Sequence, residues 1–295
     1  MSNPGLLVDC RIVPEDNRVD VTPQCMTSPD SITHLRQLVY TYYERRGRDL
    51  PWRKTSDPYR VLVAEVMLQQ TQVDRVVPKY LGFIDRFPDF ASLASASPSD
   101  VLREWQGLGY NRRALALHRA AREVVESHGG FLPQDKPTLM RLPGIGSYSA
   151  SAIRAFAFNQ PDAFIETNIR TVFIHHFFPG AERVTDAEIL PLVEMAIDRD
   201  NPSRWYQALM DYGVHLKQQD NASRRSAHYR SQSGFEGSLR QARGEVLRVL
   251  LDEGTMTPDE FRAAIPTWDS RYADALNAMV KEEVVKERDG EYGLD

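Results

Sequence analysis

The 295-residue chain carries 36 Lys plus Arg against 41 Asp plus Glu, is 42% hydrophobic, and has two cysteines. That length suggests about two globular domains, and Cys10 and Cys25 are too few for a four-cysteine zinc site, an iron–sulfur cluster or a disulfide framework. No apolar run approaches the ~18 residues of a membrane helix, and the N-terminus lacks the basic and apolar regions of a signal peptide. The expectation is a cytoplasmic protein with no membrane partner.

The net charge of −5 argues against nucleic acid only if it is evenly spread. It is not. Residues 251–295 carry 12 acids and 5 bases, whereas the first 250 residues hold 31 bases and 29 acids. Seven bases face three acids over residues 217–248. A DNA-binding body with an acidic C-terminal segment is consistent with these numbers.

Residues 1–28, with Pro4, Pro14 and Pro23 and little periodicity, read as a tail or strap. From Ser31, apolar residues at three- and four-residue spacing predict a helix that ends at Gly47 and Pro51. Asp57 followed by Pro58 opens another over Val61, Leu62, Ala64, Val66, Met67 and Leu68. Ser97, Pro98, Ser99 and Asp100 form a further helix start. Breakers recur between periodic segments as far as about residue 216, which predicts an all-α body. Residues 217–238 are polar and basic and read as a loop. Beyond them the pattern predicts three helices and a hairpin turning at Asp289 and Gly290, a small winged-helix-like module over 239–295.

Four segments could carry chemistry. In AEVMLQQTQ, residues 64–72, Glu65 interrupts an apolar helical run. Pattern alone leaves two readings open: a carboxylate on the solvent edge, or a buried one whose raised pKa suits a general acid. Gln69, Gln70, Thr71 and Gln72 follow at a helix end, either as a plain polar terminus or as groups that reach base edges. In GLGYNRR, residues 107–113, Leu108 and Tyr110 precede two arginines; they are either a turn whose apolar residues are core or a wedge between stacked bases. LPGIGSYSA, residues 142–150, is a glycine turn whose following helix start offers backbone N–H groups to an anion. Glu166 stands just ahead of a helix, a cap or an active-site anion. His175 and His176 are too closely spaced for a facial metal pair and read as structural.

In this order, LPWR at 50–53, AEVMLQQTQV at 64–73, GLGYNRR, LPGIGSYSASAI and ALMDYGV at 208–214 resemble the helix-hairpin-helix DNA glycosylase superfamily. Within it they resemble the adenine DNA glycosylase (MutY) branch, relatives of endonuclease III. The resemblance implies an all-α fold of two helical subdomains, residues 29–57 with 166–216 and residues 58–165, with the DNA cleft between them. It implies a monomeric enzyme that binds duplex DNA containing a lesion or mismatch, flips a base and cuts its N-glycosidic bond. Glu65 becomes the general acid, with Glu166, Tyr148 and Asn168 beside the sugar. Trp52, Arg53, Leu68, Val73 and Asp211 match the base pocket. Gln69, Gln70, Thr71, Leu108, Tyr110, Arg112, Gly144, Gly146 and Ser147 match DNA contacts, and the hairpin allows a bound monovalent cation; no other cofactor is expected. Tyr148 replaces the Schiff-base lysine of bifunctional relatives, so the expected enzyme is monofunctional.

The sequence departs from the family in three respects. The aspartate beside the sugar is Glu166 here. A Cys-x6-Cys-x2-Cys-x5-Cys frame falls on Lys217, Arg224, Ala227 and Ser233, so no iron–sulfur or zinc site is expected. The bases of that loop, Lys217, Arg224 and Arg225, become candidate phosphate contacts. The larger domain that reads 8-oxoguanine is replaced by the acidic module, which either packs on the body or binds a protein. The leading reading is a purine glycosylase, most simply for mispaired adenine. The alternatives are a glycosylase for thymine or uracil opposite guanine, and a non-catalytic DNA-binding relative.

Overall fold

The computed structural model describes residues 29–230 and 234–294. The predicted tail, both cysteines and Ser233 lie outside the described residues. Helices follow in the order α1 (Pro29–Arg46), α2 (Pro58–Leu68), α3 (Val73–Arg86), α4 (Phe90–Ser95), α5 (Pro98–Trp105), α6 (Arg112–His128) and α7 (Lys136–Leu139). Then come α8 (Ser147–Phe158), α9 (Thr167–Phe177), α10 (Asp186–Ala196), α11 (Pro202–Gln219), α12 (Leu239–Glu253), α13 (Pro258–Ala264) and α14 (Ser270–Lys281).

Local chemistry sets many of these boundaries. Asp57 caps α2 by accepting from the Arg60 N–H at 2.9 Å, with Pro58 in the first turn. Ser97 caps α5 in the same way. The terminal hairpin pairs β1 (Lys286–Arg288) with β2 (Glu291–Gly293), and both Asp289 and Gly290 take positive φ, as a two-residue primed turn requires.

The apolar side chains gather into two cores. One is built from α1, α9, α10 and α11, around Val39, Ile174, Val193 and Trp205. The other is built from α2 to α6 with the start of α8, and continues into the C-terminal module through Val246, Leu250, Phe261 and Met279. Arg103 of α5 donates to the Leu251 carbonyl at 2.7 Å, and Arg243 of α12 pairs with Glu282, which also lies 3.6 Å from Arg112 of α6. The module therefore packs on the body.

The segment expected to be a loop over 217–238 is more ordered than its composition suggests. Helix α11 continues to Gln219, and a short 3-10 helix spans Ala222–Arg225 with Ala222 and Ser223 buried. Val184 donates to the Arg225 carbonyl and accepts from Ala227, both at 2.8 Å, forming an isolated parallel bridge. Composition misleads here because the order comes from distant partners rather than from local periodicity.

Candidate active site

A cavity of about 340 Å³ lies where the two cores face each other, lined by Trp52 and Leu68 from one side and Phe156 and Met210 from the other. Its floor is α2. Every residue of α2 from Tyr59 to Met67 except Arg60 is buried, so the helix has no solvent edge for Glu65 to occupy. This decides between the two readings of that residue. Burial, reinforced by the charge of Glu166, pushes the Glu65 carboxyl up to about 8. It holds its proton at neutral pH and lines the cavity.

Glu166 faces the same cavity and is also a helix cap. Its Oε1 accepts from the Asn168 and Ile169 N–H groups at 2.7 and 2.9 Å, and Oε2 accepts from Asn168 Nδ2 at 3.1 Å. Lys217 Nζ then donates to Asn168 Oδ1 at 2.9 Å. This chain from α11 through Asn168 fixes the carboxylate. Gly213 makes it possible, since a Cβ there would lie 2.4 Å from the Asn168 carbonyl oxygen. Tyr148, at the start of α8, also lines the cavity and meets Phe164 edge-on at 5.6 Å. Burial and the two nearby carboxylates raise its phenol well above the ordinary value, so it stays a neutral donor.

Trp52, Arg53, Leu68 and Val73 line the cavity as the sequence suggests. Asp211 does not. Its two oxygens accept from both Nη atoms of Arg53 at 2.8 Å and from Arg48 N and Nε at 2.7 and 2.6 Å. With its carboxylate occupied by two cations it supports the wall instead of accepting from a base. Arg48 faces the cavity from this network beside Arg53, and no sequence motif singled it out; its tertiary pairing with Asp211, 163 positions away, marks it.

The candidate DNA contacts divide. Gln70 is exposed with φ +55°, and Tyr110 is exposed with φ +49°, so each tips a strained loop beside the cavity. Gln69 donates to Ser149 Oγ at 3.1 Å and Thr71 Oγ1 contacts the Leu108 carbonyl, so both brace the loops. Arg112 and Arg224 are exposed. Gly144, Gly146 and Ser147 form an open turn into α8, with Gly146 at its N-cap. Three assignments are corrected. Leu108 is 4% exposed and belongs to the core, because its turn points it inward. Lys217 is half-buried and faces Asn168. Arg225 donates to the Phe178 carbonyl at 2.6 Å, capping the end of α9. His176 is half-buried against Tyr212, its Nε2 3.1 Å from the hydroxyl, and desolvation there lowers its pKa to about 4, which suits a structural role.

Comparison with known proteins fits this geometry. Residues 63–194, which hold Glu65, the Tyr110 loop, the glycine turn and Glu166, match the HhH-GPD superfamily of base excision DNA repair proteins. The adenine DNA glycosylase of Mycolicibacterium smegmatis is 31% identical over 274 residues, covering 86% of this chain and 94% of the relative. The chain belongs to the adenine DNA glycosylase family of that superfamily. It is a DNA N-glycosylase of base excision repair. A thermostable thymine-DNA glycosylase is similar in structure, with a TM-score of 0.55 and 25% identity over 63% of this chain and 88% of the other. A trapped endonuclease III–DNA intermediate shares the fold at a TM-score of 0.56 and 16% identity, covering 64% of this chain and 87% of the other.

The family resemblance of the sequence implies an iron–sulfur cluster on four cysteines. The residues present in this glycosylase do not fit one. No cysteine follows Cys25, and the matching frame offers an amine at Lys217, a guanidinium at Arg224 and a methyl at Ala227 instead of thiolates.

Proposed function

We propose that this glycosylase releases adenine mispaired in duplex DNA and leaves an abasic site without cutting the strand. The observation that carries the reading is Glu65, a protonated carboxyl at the floor of a base-sized cavity. The chemistry follows from that proton. Glu65 gives it to a ring nitrogen of the extruded base, the C1′–N bond breaks, and adenine leaves as a neutral molecule. The Glu166 carboxylate, fixed by Asn168, stabilises the cationic sugar on the other side. Water then adds its oxygen to C1′ and returns a proton to Glu65. The similarity to the adenine DNA glycosylase of Mycolicibacterium smegmatis supports adenine as the base.

Two features support the absence of strand cleavage. Among the described residues no lysine lines the cavity, and the amine of Lys217 behind it donates to Asn168, which does line it. Without an amine to form a Schiff base, β-elimination lacks its electron sink. We read the loop after α11 as ordered by Lys217, Arg225 and the Val184–Ser226 bridge in place of a cluster.

The test is a panel of duplexes with A opposite G or 8-oxoguanine and with T or U opposite G, assayed before and after alkali. Release of adenine that becomes strand cleavage only after alkali is expected. Release confined to T or U opposite G, or cleavage without alkali, overturns the reading. So does equal activity of wild type and Glu65→Gln.

A further inference from the structure

Two loops flank one surface groove, one after α2 and one before α6, and Gln70 and Tyr110 both line it. Both carry a non-glycine tip in the left-handed region, Gln70 at +55° and Tyr110 at +49°. An exposed side chain in that conformation is strained and persists only where its surroundings hold it. Among the groups that hold these tips, one guanidinium bonds to both loops. Nη1 of Arg113 donates to the carbonyls of Val66, Met67 and Gln69 at 2.7, 3.0 and 2.6 Å. Nη2 donates to Thr71 Oγ1 at 3.0 Å and to the carbonyls of Leu108 and Gly109 at 3.4 and 3.1 Å. One nitrogen thus holds the end of α2, and the other reaches across to the Tyr110 loop.

The fit is specific to a guanidinium. The last carbonyls of α2 have no partners within the helix, and a cation there also opposes the helix dipole. The planar fork reaches two loops at once, whereas an ammonium is a single point of donation. The guanidinium stacks 5.3 Å from the Trp105 ring and 5.5 Å from the Tyr110 ring, and Trp105 Nε1 donates to the Gly109 carbonyl at 3.1 Å. Arg113 does not line the cavity that holds Glu65.

We infer that Arg113 is a positioning residue that locks the Gln70 and Tyr110 tips into one rigid probe, so that both enter the duplex together when a base is extruded. The inference rests on the function proposed above and adds the element that couples recognition to extrusion. A rigid pair opens the stack in one motion; two independent tips would each have to be ordered at the moment of insertion, at an entropic cost.

The test separates extrusion from chemistry in the full chain. Single-turnover adenine release is measured for wild type, Arg113→Lys and Arg113→Gln on an A:G duplex and on a duplex whose adenine faces an abasic analogue, is unpaired and so costs less to extrude. Thermal melting monitors the fold. For a loss of positioning of this kind, Arg113→Lys should slow the A:G duplex by about 100-fold while slowing the unpaired substrate by no more than about 3-fold. Equal slowing on both substrates indicates a general defect and overturns the inference, as does no slowing on either. Should wild type release adenine from neither duplex, the proposed function fails. Fluorescence of 2-aminopurine at the target position then decides this inference alone: an increase on binding that Arg113→Lys abolishes supports it, and an unchanged increase overturns it.

Discussion

At the scale of single residues, the charge state of Glu65 is the quantity on which the chemistry turns. A carboxyl raised to about 8 by burial is an acid throughout the neutral range, so single-turnover base release should fall as pH rises through about 8. Stability should move the same way for a different reason. Below about 4.5 Glu65 is protonated in both the folded and unfolded chains; between 4.5 and 8 the unfolded chain loses the proton and the folded chain keeps it. Folding therefore weakens as pH rises across that window. Glu65→Gln removes the penalty, so its melting temperature should exceed that of wild type at pH 8 and converge with it near pH 4, while base release falls by about 100-fold or more. A lower melting temperature for the variant at pH 8 would remove the case for a buried acid. Glu166 shows how two readings of one residue can both hold: the carboxylate caps α9 and faces the cavity.

At the scale of elements, the turn into α8 depends on a close approach. Gly144 has φ +79°, and a Cβ there would lie 2.8 Å from the Ala116 Cβ of α6. Gly144→Ala should cost about 1–2 kcal/mol for the left-handed backbone alone, with a further steric cost against α6. Combining it with Ala116→Gly should relieve only the steric part. Urea denaturation of the two single variants and the pair would then give less destabilisation than the sum. Strict additivity would show that the turn does not pack on α6. Duplex affinity of Gly144→Ala should fall with stability, because the displaced turn carries the N–H groups at the start of α8.

At the scale of the whole molecule, the barrel-side core runs unbroken into the C-terminal module, so the two should unfold as one unit. Trp105 lies in the body and Trp268 in the module, and tryptophan fluorescence on heating should report a single transition. Arg103→Ala leaves the Leu251 carbonyl without its charged donor and should lower stability by about 1–3 kcal/mol. Two separate transitions in the wild type would mean that the module is only tethered. Charge has a similar division of labour at this scale. The acidity of the module is partly turned inward, with Glu282 against Arg243 and near Arg112, and the glycine turn of the body remains open.

How much of this was legible beforehand depends on the range of the interactions involved. Helix starts at Asp57 and Ser97 and the hairpin at Asp289 and Gly290 could be read directly, because a cap or a primed turn is chemistry between residues two or three apart. The order of motifs likewise pointed to the family, with Glu65 and Glu166 as its acids. Sequence did not decide which side of each helix is desolvated or which charges meet. Glu65 is desolvated because α2 is buried from Tyr59 to Met67 except at Arg60; Leu108 is core because its turn faces inward. Asp211 is occupied by Arg48 and Arg53, more than 150 positions away, and Lys217 by Asn168, 49 positions away. Periodicity and capping act along the chain and are written in it. Desolvation and ion pairing act across space, so only the tertiary structure decides them.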